Sequence, residues 1–321
     1  IKPFVTLFHW DVPQALEDEY GGFLSPHHAE LCYKEFGDRV KHLFTINDPY
    51  TFSNMGYAVG TQAPGRCSSW QNRNCTGGDS AIEPSLVTHH ILLAHGVAVE
   101  LYKNRYQASH NGLIWITLVS HWFEPASESK QIKMLLYDLW ILCLDGKFLD
   151  PLTSGDYPHT MRSIVGKRLP KFTKEQSKLL NGSFDFLGIN YYTARYTSST
   201  PKNNSQQATI SFFPPTFTYY LEMELQTALD WLYAYPKGIH DLVLYTKEKY
   251  NDPLIYITKN GINGSKVKGF FPWTLLDDFE WDSGYTVRFG LNYMDYNDRH
   301  KTHPKLLAHW LKNLLKKNLR N

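Results

Sequence analysis

Apolar and polar positions along this chain keep two rhythms. Six short runs, "PFVTLFHW", "VKHLFTIN", "GLIWITLVSHW", "FDFLGINYY", "PLIYITKN" and "VKGFFPW", are rich in aliphatic, β-branched and aromatic residues, as strands covered on both faces are. All but the last end in polar, amide or charged residues, and several are followed by helical patterns. That alternation predicts βα units around a parallel sheet, and so an α/β fold. The clearest helix is "PSLVTHHILLAHGVAVELYKNRYQ", where Val87, Ile91, Ala94, Ala98 and Leu101 make one apolar stripe. His89, His90 and His95 lie along it, but zinc spacing and a partner carboxylate are lacking, so no metal is expected. The C-terminal "PKLLAHWLKNLLKKNLR" repeats the pairs Leu306/Leu307, Trp310/Leu311 and Leu314/Leu315 at helical spacing. It predicts a closing helix packed on the barrel, with a membrane-surface or calmodulin-type role as the alternative.

Length changes the picture little: 321 residues suit one barrel-sized α/β domain covering residues 1–321. The balance of 33 basic against 31 acidic residues argues against a polyanion binder, so nucleic acid is not an expected partner. No apolar stretch approaches the ~20 residues of a membrane span; "MLLYDLWILCL" is short and carries Asp138. Aromatic content is high, with 9 Trp, 21 Tyr and 18 Phe, which fits either a well-filled core or a site that holds flat faces such as sugars. Cys67 and Cys75 bracket the polar loop "CSSWQNRNC", where a short disulfide ring is geometrically plausible, while Cys32 and Cys143 sit in apolar helical patterns and read as core thiols. Asn74, Asn181, Asn203 and Asn263 each begin an N-x-S/T triplet. With the bridge, they are consistent with a secretory history.

The chemistry gathers at the strand exits, where α/β barrels place their active sites. There stand "TLFHWDVPQAL", "TINDPYTFSNMGYAVG", "GINYYTARY" and "WTLLDDFEWDSGY". His9, Asn47, Asn190, Tyr192 and Glu280 offer donors and acceptors from several different exits, beside the broad faces of Trp10, Trp273 and Trp281. Such a mixture suits a polyhydroxyl ligand, whose hydroxyls need partners and whose faces need a stacking surface.

These motifs resemble glycoside hydrolase family 1, plant β-glucosidase type, along nearly the whole chain. "TINDPY" is similar to the family's acid/base motif TxNEP, "IYITKNG" to its nucleophile motif ITENG, and "LLDDFEW" to its sugar-binding LLDNFEW. The resemblance implies a (β/α)8 TIM barrel, retaining hydrolysis of β-glucosides, a small-molecule glycoside as partner, and no metal or cofactor. It implies hydroxyl-binding roles for His9, Asn47, Asn190, Glu280 and Trp281, a platform role under the sugar for Trp273, an orienting role toward the nucleophile for Tyr192, and an aglycone-side position for Trp231. The barrel is expected to be incomplete: six strands account for about six of eight βα units, and the chain opens inside a strand, so two units are expected to be absent before Ile1.

Two residues depart from the pattern. The acid/base position holds Asp48 and the nucleophile position holds Lys259. Retaining hydrolysis uses two carboxyl groups about 5–5.5 Å apart, one protonating the leaving oxygen and one attacking the anomeric carbon. Asp48 keeps the chemistry with its oxygens drawn back by up to ~1.5 Å, where catalytic geometry tolerates roughly 0.5 Å. Lys259 reverses the charge that an oxocarbenium-like transition state needs, and an amine supplies no carboxylate leaving group for the second step. Beyond it, only Ile262–Lys266 separate Gly261 from Val267, against the ~10–12 residues of a helical crossover. The junction is therefore read either as a bare return along the strand or as an antiparallel hairpin. These features lead to the expectation of a β-glucosidase homologue with weak or absent hydrolysis; the alternatives are a non-catalytic glycoside-binding protein and a decayed product without a stable fold.

Overall fold

The computed structural model describes residues 2–125, 146–199, 217–220, 231–259 and 271–318. The chain runs β1 (Phe4–Phe8), α1 (Gln14–Tyr20), α2 (Pro26–Phe36), β2 (His42–Asn47), α3 (Pro49–Asn54), α4 (Glu83–Arg105), α5 (Gln107–His110) and β3 (Leu113–Pro125). It continues through α6 (Leu149–Ser154), α7 (His159–Val165), α8 (Lys174–Leu180), β4 (Leu187–Ser199), β5 (Phe217–Tyr220), α9 (Pro236–Lys249) and β6 (Ile255–Lys259). A two-stranded ribbon, β7 (Asn292–Asp295) with β8 (Lys301–Pro304), and α10 (Leu306–Asn318) follow.

Strands β1, β2, β3, β4 and β6 pair in that order, every pairing parallel. Helices fill each connection, as parallel pairing requires. The result is a curled half-barrel, the incomplete (β/α)8 form. Short β5 pairs antiparallel with the far end of β4, and "FTYY" was not among the expected strands because it is only four residues long. The expected sixth run, "VKGFFPW", lies mostly outside the described residues, and the Ile262–Lys266 junction lies there entirely.

One wall of the core is aromatic. Phe4 stacks on His42 at 4.0 Å and meets Phe271 edge-on at 4.7 Å, and Phe186 packs edge-on against both Phe44 and Tyr256. The aromatic excess thus fills the core as well as the mouth. On the helix side, α4 turns Thr88, Ile91, Leu92, His95, Ala98, Val99 and Tyr102 inward. That face is rotated from the expected stripe: Val87, Ala94 and Leu101 are only half-buried. The rotation follows from satisfied polar groups. His95 is fully buried because Thr45 bonds its Nδ1 at 2.7 Å and the Ser183 carbonyl its Nε2 at 2.9 Å, while Gly96 lets Leu179 and Leu180 of α8 come close. No cluster of three metal-capable side chains occurs among the described residues. Cys32 is half-buried and free, and Cys143 lies outside the described residues. Cys67 and Cys75 are joined by a disulfide.

The closing helix departs from expectation. Leu306 is 86% exposed, and Leu307, Trp310 and Leu315 are also open to solvent. The helix docks beside β8. Among the described residues no helix is long and apolar enough to cross a membrane.

Candidate active site

Irregularities in strand pairing aim the site residues. Phe44 pairs with Trp115 but Asn47 with Thr117, so β2 carries one extra residue just before Asn47. The pairing of β3 with β4 slips by one between Ser120/Tyr191 and Trp122/Ala194, around Tyr192. On β6 the slip falls at Thr258, between Ile257 and Lys259. Each bulge turns the chain where a strand meets the mouth, as bulges beside functional sites do. Three mouth residues also hold left-handed backbone, Trp10 (φ 78°), Asp48 (φ 44°) and Trp281 (φ 42°), a conformation that costs L residues about 1–3 kcal/mol each and gathers at functional sites.

From these turns a connected polar floor is built. Asn190, fully buried, donates from Nδ2 to Asp48 Oδ1 at 2.7 Å and to Asn47 Oδ1 at 3.1 Å. Its own Oδ1 accepts from the Thr258 hydroxyl at 2.7 Å. That bond fixes which end of the Asn190 amide faces the carboxylate. Asn47 in turn offers Nδ2 to His9 Nε2 at 2.9 Å, and Trp10 Nε1 donates to the Asn47 carbonyl at 2.7 Å. Because its Nε2 accepts, His9 is the neutral tautomer protonated on Nδ1; burial, then the Lys259 charge, push its pKa down to about 4. Burial pushes the Asp48 carboxyl up, against the Lys259 charge and the bonds from Asn190, Tyr192 and Asn47.

Lys259 closes the arrangement. Its Nζ lies 3.3 Å from His9 Nε2 and 4.6 Å from the centre of the Trp273 ring. Burial lowers its pKa, with Asp48 and Glu280 pulling the other way. Glu280 accepts from Trp273 Nε1 at 2.8 Å, and burial raises its carboxyl. The Trp273–Trp281 loop is braced from beneath by Asp277, fully buried, which takes Lys305 Nζ at 2.7 Å and the Gly290 amide at 2.9 Å.

The structure therefore brings His9, Asn47, Asp48, Asn190, Tyr192, Lys259, Trp273 and Glu280 to one mouth. Trp281 is half-exposed, 4.8 Å from the Trp10 ring and 5.5 Å from His9. Trp231 stands outside them, exposed and edge-on to Tyr192 at 6.1 Å. The Tyr192 hydroxyl donates to Asp48 Oδ2 at 3.0 Å. An ammonium at 259 has no lone pair to accept that proton, and Asp48 has. Sequence reasoning missed Thr258 and Asp277. The first is one residue from a motif lysine, and the second sits inside "LLDDFEW"; their positions were the available signal.

A profile described as Glycosyl hydrolase family 1 matches residues 1–266 and 262–319. The chain belongs to that family. The two matched pieces meet at the junction after Lys259. Among curated relatives, β-glucosidase 12 of Oryza sativa subsp. indica is 48% identical over 366 residues, covering 99% of this chain and 71% of the relative. The raucaffricine-O-β-D-glucosidase of Rauvolfia serpentina is 44% identical, covering 99% and 71%. Among solved structures, the rice β-glucosidase Os3BGlu6 superposes with a TM-score of 0.88 at 37% identity, covering 97% of this chain and 75% of that one. A family 1 β-glucosidase of the fungus Humicola insolens in complex with glucose gives 0.89 at 32%, covering 99% and 76%.

Proposed function

We propose that this family 1 chain is a β-glucosidase homologue that retains a glycoside pocket and has lost effective hydrolysis. One observation carries the reading: the Lys259 ammonium stands at the nucleophile position and lies over the Trp273 ring, 4.6 Å from its centre. A retaining glycosidase needs a carboxylate there. The amine also borders the Trp273 face, where it makes a cation–π contact. His9, Asn47, Asn190 and Glu280 are the proposed hydroxyl partners, with Trp281 beside them and Trp231 on the aglycone side. Asp48 occupies the acid/base position, held back in the floor by Asn190 and Tyr192.

The connected floor favours retained binding over simple decay, since buried polar groups here are paired rather than abandoned. A secretory route is part of the proposal, supported by the Cys67–Cys75 bridge and by the exposed asparagines of the Asn74 and Asn181 triplets; Asn203 and Asn263 lie outside the described residues. Two assays on purified protein decide the matter. Release of nitrophenol from an aryl β-glucoside at a rate typical of glycosidases overturns the loss of hydrolysis. Calorimetric titration with glucose gives a binding heat if the pocket is retained, and no heat removes the binding claim.

A further inference from the structure

The amine at the mouth has chemistry of its own. Lys259 Nζ sits at the tip of β6 between His9 Nε2 at 3.3 Å and the face of Trp273 at 4.6 Å, while the side chain remains half-buried rather than sealed. Two carboxyl groups, Asp48 and Glu280, act on it electrostatically. An amine desolvated against an aromatic wall, beside a neutral imidazole and within reach of solute, is the setting in which lysines attack carbonyl carbon.

We infer that Lys259 captures short hydroxylated aldehydes, of the glyceraldehyde type, as a reversible imine. The class of aldehyde rests on the proposed sugar pocket; the amine chemistry does not. The Nζ lone pair forms a bond to the aldehyde carbon while the carbonyl π pair moves onto oxygen. The nitrogen then gives up a proton as that oxygen gains one, giving a carbinolamine. Protonated by a neighbouring carboxyl group, the hydroxyl leaves as water as the nitrogen pair forms C=N, and the iminium returns a proton to the carboxylate. One amine and one aldehyde give one imine and one water, with no oxidant or reductant consumed. Lowered basicity, caused first by burial, keeps a fraction of the amine free for the attack.

The test uses the full chain with glyceraldehyde and cyanoborohydride, which reduces each imine to a stable secondary amine, followed by peptide mass mapping over time. Lys259 is expected to be alkylated about tenfold faster than Lys312 on exposed α10. Propanal, of equal length without hydroxyls, is expected to label Lys259 several-fold more slowly than glyceraldehyde. Lys259→Arg, with its fold checked by circular dichroism, loses the site. A Lys259 rate no greater than that of Lys312, or equal rates with the two aldehydes, overturns the inference. Nitrophenol release and glucose titration on the same preparation read the proposed function separately, so either idea can fail while the other stands.

Discussion

Replacing Lys259 by Glu is the most informative perturbation. In a retaining mechanism the group at position 259 faces the reacting carbon at roughly 4 Å. At an effective dielectric near 20, a unit charge at that distance is worth about 4 kcal/mol. Reversing its sign moves an oxocarbenium-like transition state by about 8 kcal/mol, on the order of six decades in rate. Solvent at the half-buried mouth makes this a ceiling. Lys259→Glu should therefore release nitrophenol from an aryl β-glucoside where the parent chain gives no measurable rate. It should still fall short of a full glycosidase, because Asp48 stays one methylene short and drawn into the floor by Asn190 and Tyr192. The assay is initial velocity at saturating substrate, with Asp48→Glu added to the same background. Equal rates for parent and Lys259→Glu refute the electrostatic argument; full turnover in Lys259→Glu alone refutes the account of Asp48.

Further outcomes concern stability. His95 is fully buried and its pKa is pushed down to about 4 by burial. The unfolded chain therefore binds the extra proton below about pH 6.5, so stability falls from pH 6.5 toward 4, by roughly 3 kcal/mol for this group; the melting temperature of His95→Gln should fall less over that interval than that of the parent. Lys305→Met removes the 2.7 Å partner of fully buried Asp277 and should cost about 3 kcal/mol in urea unfolding, an unchanged midpoint refuting the brace. Opening the Cys67–Cys75 bridge, which spans a sequence separation of 8, should cost about 2.5 kcal/mol by loop entropy, read as a lower melting temperature of the Cys67→Ser/Cys75→Ser pair.

Much of this was legible in the chain because parallel strands in a covered sheet leave long apolar runs ending in polar residues. Five of the six expected runs contain observed strands, and four of those, β1, β2, β4 and β6, carry or directly precede residues proposed for the site. What the pattern could not convey was rotation. Strand bulges before Asn47, around Tyr192 and at Thr258 depend on pairing between distant segments. The inward face of α4 was likewise set by partners on other elements, Thr45 and Ser183 for His95, which no helical period encodes. The bond from Tyr192 to Asp48 joins two different strand exits, a pairing that no motif position conveys.

Helix α10 leaves Leu306, Leu307, Trp310 and Leu315 facing water. An apolar helix face of that kind is adhesive, and it is what chaperones and proteases engage. Polar substitutions there would alter how the protein associates and persists, at residues remote from the proposed sugar pocket.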